Sequence, residues 1–176
     1  MTRPVVVLTG FMGSGKSTVG PALADALGVA FLDTDAELER RTGRSIADVF
    51  GAQGEAAFRA LERETVLDVL SGHDGVVALG GGSVTVPDIR DALADHRVVH
   101  LRITPQSGYA RVEGSDRPLL AGADPAGTYA SLLAERAALY DDVSAFTVDA
   151  DQDVDTVVAA ILAKLPAATD RKGPQQ

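Results

Sequence analysis

The stretch Gly10-Phe-Met-Gly-Ser-Gly-Lys-Ser17 constrains this chain more than any other. It fits the pattern G-x-x-x-x-G-K-[ST], and it stands between the apolar run Val5-Val-Val-Leu8 and a stretch of helical period. A strand that turns through glycines into a helix gathers backbone N–H groups and the positive helix end at one point, which suits phosphate. In such a loop Gly13, Ser14 and Gly15 surround the phosphates and Lys16 reaches the terminal ones. The Ser17 hydroxyl ligates Mg2+, and Thr18 follows in the first helical turn. Lys16 is also the only lysine before Lys164, in a chain whose other basic residues up to that point are all arginine. A phosphate loop implies an α/β fold, because it needs a strand and a helix in that order.

The rest of the chain repeats this unit. Short runs rich in Val, Leu and Ile recur at Val29–Leu32, Val76–Leu79, Val98–Ile103 and Ala145–Val148, with helical periods between them. Five strands alternating with helices predict a parallel sheet covered on both faces. Gly28 reads as the C-terminal glycine of a helix ending at Leu27, and Ser45-Ile-Ala-Asp48 has the form of a capping box. At 176 residues one domain is expected, over 1–165. Residues 166–176 lack apolar periodicity and read as a disordered tail. From Glu113 to Ala126 two glycines and two prolines break the rhythm, in a connection longer than compact domains usually contain. That segment reads as a mobile lid, with an inert surface loop as the alternative.

Composition removes whole classes. There are no cysteines, which excludes disulfide scaffolds, zinc ribbons, Fe–S clusters and thiol nucleophiles. No apolar run approaches the length of a membrane span, and the N-terminus lacks the apolar core of a secretory signal. A cytoplasmic protein is expected. The net charge of −9 argues against nucleic-acid binding, whose affinity comes from Lys and Arg neutralising phosphates.

Further candidate residues stand at the carboxyl ends of the expected strands, where ligands of parallel sheets gather. Asp33-Thr34-Asp35 follows the second strand, and its two carboxylates point the same way only if the extended geometry persists. One would order the water shell of a magnesium ion and the other meet an acceptor hydroxyl, with helix capping as the alternative. In the helix expected over Glu55–Leu70, Phe58, Leu61, Val66, Val69 and Leu70 define the core face. Arg59 and Glu62 fall inside that arc, so Arg59 is either ligand-facing or privately paired with Glu62. Gly80-Gly81-Gly82 follows the third strand and permits close backbone approach to a carboxylate, or else makes a hinge or tight turn. Arg117 in the lid and Arg136 on a helix over Thr128–Leu139 would complete a cationic pocket. The three histidines are assigned no role, and Tyr109, Tyr129 and Tyr140 read as packing.

Taken together these motifs resemble the shikimate kinase family: G-F-M-G-S-G-K-S-T at 10–18, D-T-D at 33–35, G-R-S-I-A-D-V-F at 43–50, F-R-x-x-E at 58–62, G-G-G at 80–82, R-P-L-L at 117–120 and E-R-x-x-L-Y at 135–140. The resemblance implies a three-layer P-loop kinase fold with strand order 2-3-1-4-5, a substrate-binding segment at about 34–61 and a lid at about 112–125. It implies ATP-dependent phosphorylation of the 3-hydroxyl of shikimate, a step of aromatic amino-acid biosynthesis, with Mg2+ and with no nucleic-acid or membrane partner, by a monomer. By position, Asp35 would bind the acceptor hydroxyls and act as base. Arg59, Arg136 and the backbone of Gly80, Gly81 and Gly82 would hold the carboxylate, between the walls of Phe50 and Phe58. Arg117 would close onto the transferring group, and Ser17 with Asp33 would organise Mg2+. Arg111 is expected beside the adenine, and the loop with Gln152 after the fifth strand to offer backbone contacts. Rival readings are a gluconate or nucleoside-monophosphate kinase and a nucleotide-binding module without transfer activity. Adenylate kinases carry D-G-F-P-R after the third strand, which is absent here.

Overall fold

The computed structural model describes residues 2–166. Five strands form one sheet in the order β2-β3-β1-β4-β5: β1 Val6–Thr9, β2 Phe31–Asp33, β3 Val76–Ala78, β4 Val98–Arg102 and β5 Phe146–Asp149. All pairs are parallel, and Val7 of the central strand stands opposite Val77 on one side and Val98 on the other. β1 is apolar apart from Thr9 because it is buried on both faces between two partners. Its alternation sorts the two layers. Val6 and Leu8 pack with Leu23 of α1 (Lys16–Leu27) and Ile161 of α7 (Val154–Lys164). Val7 faces the other way, toward Val66 and Leu70 of α3 (Ile46–Gly72) and Ile89 and Leu93 of α4 (Pro87–Leu93).

Several expectations shift at their edges. α1 ends at Leu27 with Gly28 in the left-handed conformation, as its position suggests. Ser45 Oγ accepts the Asp48 N–H at 3.1 Å, so the serine half of the capping box forms. The helix read from Glu55 is the longer part of α3, which breaks at Gly54, where φ is 82° and ψ 175°. A β-carbon would make that turn costly. α6 runs over Pro125–Val143, a turn longer at its C-terminal end and starting three residues earlier than its periodicity suggests.

Two smaller clusters support the carboxyl end of the sheet. Leu38, Val49 and Phe58 join α2 (Thr34–Thr42) to α3. Phe11, Tyr129 and Tyr140 lie beneath the glycine-rich loop with Val112, the last residue of α5 (Pro105–Val112). Leu120 joins this second cluster from a short 3-10 turn at Pro118–Leu120, so the segment 113–126 is anchored in its middle. The tail expected at 166–176 falls, from residue 167 onward, outside the described residues.

Candidate active site

The loop after β1 wraps the start of α1. Gly13 and Gly15 take φ of 85° and 92°, conformations that glycine adopts without strain, and Gly15 caps the helix with no side-chain bond. A β-carbon at Gly13 would come within 2.5 Å of the Gly108 carbonyl oxygen, because α5 packs directly on the loop. Lys16 Nζ donates to the carbonyls of Gly10 at 2.6 Å and Phe11 at 3.2 Å. Burial pulls its pKa down to about 8, against the opposing pull of the Asp35 and Asp33 carboxylates. Arg111 Nη1 donates to the Gly13 carbonyl at 3.0 Å and its Nη2 to that of Ala150 at 3.2 Å, which ties the loop to the end of β5. Lys16, Ser17, Thr18 and Arg111 line a cavity of about 240 Å³ with Gly13 and Gly15, while Ser14 is buried under it. Gln152 is exposed, donates to the Asp149 carbonyl at 3.2 Å and lines neither this cavity nor its neighbour.

A second cavity of about 620 Å³ adjoins the first, and Ser17, Asp33, Asp35, Gly80, Gly81 and Arg117 line both. The extended geometry that was to align the two carboxylates ends at Asp33, and Asp35 belongs to the first turn of α2. They still face a common space, because the helix begins within one residue of the strand. Asp33 Oδ1 accepts the N–H groups of Asp35 at 2.8 Å and Ala36 at 3.2 Å, so Asp33 caps α2 and lines the cavities at once. Burial raises the Asp35 pKa to about 7, reinforced by the charges of Asp33 and Glu62 and opposed by Lys16 and Arg117.

The far wall comes from α3. Phe50 and Phe58 sit on either side of the break at Gly54, with ring centroids 4.7 Å apart. Arg59 lies over the Phe58 ring and its Nη1 donates to Glu62 Oε2 at 2.6 Å. Glu62 is 2% exposed, and its Oε1 accepts the Ser83 hydroxyl at 2.6 Å. Arg59 therefore pairs with Glu62, and with Glu55 at 3.5 Å, while its side chain also lines the larger cavity. Arg136 from α6 reaches the same cavity, only 7% exposed, with its guanidinium over the Phe11 ring. Arg117 is exposed at the mouth.

Gly81 and Gly82 form the tight turn that was one alternative, closed by the Ser83 N–H on the Gly80 carbonyl at 3.1 Å, but none of the three glycines has a positive φ, so the turn by itself does not require glycine. Room does. A β-carbon on Gly80 would stand 2.6 Å from Asp35 Oδ1 and 2.9 Å from Glu62 Oε1, and one on Gly82 would overlap the Arg59 guanidinium. The Gly80 N–H donates to Thr34 Oγ1 at 3.2 Å, which locks the middle residue of the Asp33–Asp35 stretch to the glycine run.

Sequence reasoning missed some of this lining. Met12, Asp116, Pro118 and Leu119 also border the larger cavity. Of the tyrosines read as packing, Tyr129 and Tyr140 are buried, yet the Tyr129 hydroxyl donates to the Met12 carbonyl at 2.6 Å and that of Tyr140 to the Gly81 carbonyl. A buried tyrosine needs a partner for its hydroxyl, which is the signal that could have singled them out.

The donor set at the junction is hard oxygen: one serine hydroxyl and two aspartates. No group of three or more His, Cys, Asp or Glu gathers around a point among the described residues. A metal here would take most of its ligands from phosphate and water, a coordination that suits Mg2+.

The chain is similar to known proteins over nearly its whole length. A family model described as shikimate kinase matches residues 12–166. A shikimate kinase of Mycobacterium avium is 52% identical over 166 residues, covering 93% of this chain and 94% of that one. One of Mycobacterium tuberculosis is 51% identical over 164 residues, covering 92% and 93%. A solved shikimate kinase from Acinetobacter baumannii, in complex with shikimate, superposes with a TM-score of 0.88 at 34% identity and 92% coverage of both chains.

Proposed function

The chain belongs to the shikimate kinase family, and from that membership we propose how its residues divide the transfer of the ATP γ-phosphoryl group to the 3-hydroxyl of shikimate. One observation carries the division. Two cavities, one around the glycine-rich loop and one between α2, α3 and α6, share the wall that contains Asp35, Ser17 and Arg117. A nucleotide in the first and an acceptor in the second would meet there.

Gly13 to Thr18 cradle the phosphates, with Lys16 on the terminal ones and Arg111 at the adenine side of the loop. Gln152 contributes at most its backbone, since its side chain stands apart from both cavities. In the larger cavity Arg59, Arg136 and the backbone of Gly80 to Gly82 hold the shikimate carboxylate, and Phe50 and Phe58 flank the ring. Asp35 meets the acceptor hydroxyl. The hydroxyl oxygen bonds to the γ-phosphorus, its proton passes to the Asp35 carboxylate, and the bond to the β–γ bridging oxygen breaks to release ADP. Its pKa of about 7 leaves Asp35 able both to take that proton and to release it at neutral pH. Ser17 and Asp33 would hold Mg2+, which when bound offsets phosphate charge. Positioning and charge stabilisation supply most of the rate in such transfers, which gives Lys16 and Arg117 more weight than the base.

Segment 112–125 acts as the lid that carries Arg117, and 34–61 as the substrate-binding segment. The enzyme is proposed to act as a monomer. Its ATP requirement suits the cytoplasm, and no described helix is long and apolar enough to cross a membrane. A coupled ADP-release assay against shikimate, quinate, gluconate and AMP tests the assignment. Turnover with shikimate well above the others is expected, and equal or greater turnover with gluconate or AMP would overturn it.

A further inference from the structure

The glycine run is held by three carbonyls with different partners. The Gly80 carbonyl accepts the Ser83 N–H at 3.1 Å, and that of Gly82 accepts the Thr85 N–H at 3.0 Å and the Thr85 hydroxyl at 2.6 Å. The Gly81 carbonyl takes no backbone donor among the described residues, and its partner is the Tyr140 hydroxyl. A trans peptide is planar with its C=O and N–H opposed, so whatever fixes the Gly81 oxygen also fixes the direction of the Gly82 N–H. That N–H has no acceptor among the described residues.

Tyr140 is suited to the task. It is fully buried, its ring stacks on His100 with centroids 5.0 Å apart, and His100 Nδ1 lies 3.2 Å from Asp141 Oδ1. It also stands one turn from Arg136 on α6, so a single rigid helix carries both a cation for the acceptor cavity and the anchor of the glycine backbone.

We infer that Tyr140 is a positioning residue for the acceptor carboxylate, acting through the Gly81–Gly82 peptide, whose N–H its hydroxyl aims. This rests on the reading that Gly80 to Gly82 and the two arginines hold that carboxylate. Tyr140→Phe keeps the ring and its packing but frees the Gly81 carbonyl and removes the hydroxyl's contact with Arg136.

Shikimate, its methyl ester and ATP are titrated by calorimetry into wild-type and Tyr140→Phe enzyme, with melting temperatures measured alongside. The wild type should prefer the acid to the ester strongly. In Tyr140→Phe the acid should bind about tenfold more weakly, as for one lost hydrogen bond, with ester and ATP affinities unchanged within twofold. A wild type that binds acid and ester equally would overturn the carboxylate reading itself, and this inference with it. A discriminating wild type and an equally discriminating Tyr140→Phe would overturn the positioning role alone. Equal weakening of acid, ester and ATP would also overturn it, since that marks a packing role.

Discussion

Arg59 and Glu62 stand one helical turn apart on α3, and their 2.6 Å bond presents the arginine to the larger cavity while the glutamate is almost wholly buried. The pair is a support: Glu62 holds Arg59 with Oε2 and Ser83 with Oε1, which links the helix to the residue after the glycine run.

Arg59→Lys should therefore weaken shikimate by at least tenfold while leaving ATP nearly unchanged, because an ammonium cannot bond Glu62 and a carboxylate with one planar fork. Glu62→Gln should act in the same direction, more mildly. Calorimetric titration of both ligands checks this, and equal weakening of the two would leave Arg59 a structural residue only.

Asp35 gives the free, metal-free protein a pH signature. Its folded pKa is about 7, above the ordinary carboxylate value, so between about pH 4 and 7 the folded state binds more protons than the unfolded state. Stability should fall as pH rises through that window and level off above it. Denaturant unfolding at several pH values should show this slope reduced in Asp35→Asn, whose stability should exceed the wild type's at pH 8. Parallel curves for the two proteins would show that Asp35 is not the source.

Gly80→Ala tests the crowding directly. The added methyl would meet Asp35 Oδ1 and Glu62 Oε1 closer than van der Waals contact permits, so one carboxylate must move. Turnover should drop by more than tenfold, since displacement of a reacting group by about 1 Å costs on the order of 10² in rate. Steady-state kinetics on a variant shown by circular dichroism to be folded would decide, and wild-type turnover would refute the contact.

The lid prediction concerns motion. Residues 113–124 should exchange amide hydrogens quickly in the free protein and markedly more slowly with shikimate and a non-hydrolysable ATP analogue together. Leu120, anchored in the cluster with Tyr129, should be the slowest of them. Arg117→Ala should lower turnover far more than it weakens shikimate, because its main contact forms in the transition state. Ligand-independent exchange with normal turnover would make the segment an inert loop.

The sequence determined the elements and most of the chemistry. The G-x-x-x-x-G-K-S run, the Val-rich strands and Gly28 each act through local geometry, which a few neighbouring residues set, so they could be read without a fold. The resemblance supplied the strand order and the roles of Arg59, Arg136 and Asp35. What the chain alone left open was settled by contacts between residues far apart in it. Asp33 proved both cap and cavity wall, and Arg59 both ion-paired and cavity-facing, because burial and partners are properties of packing. Gly80 and Gly82 leave room for Asp35, Glu62 and Arg59, side chains that come from 18 to 45 positions away. Tyr140 reaches Gly81 across 59 positions, and such a bond leaves no periodicity or local propensity for the sequence to show.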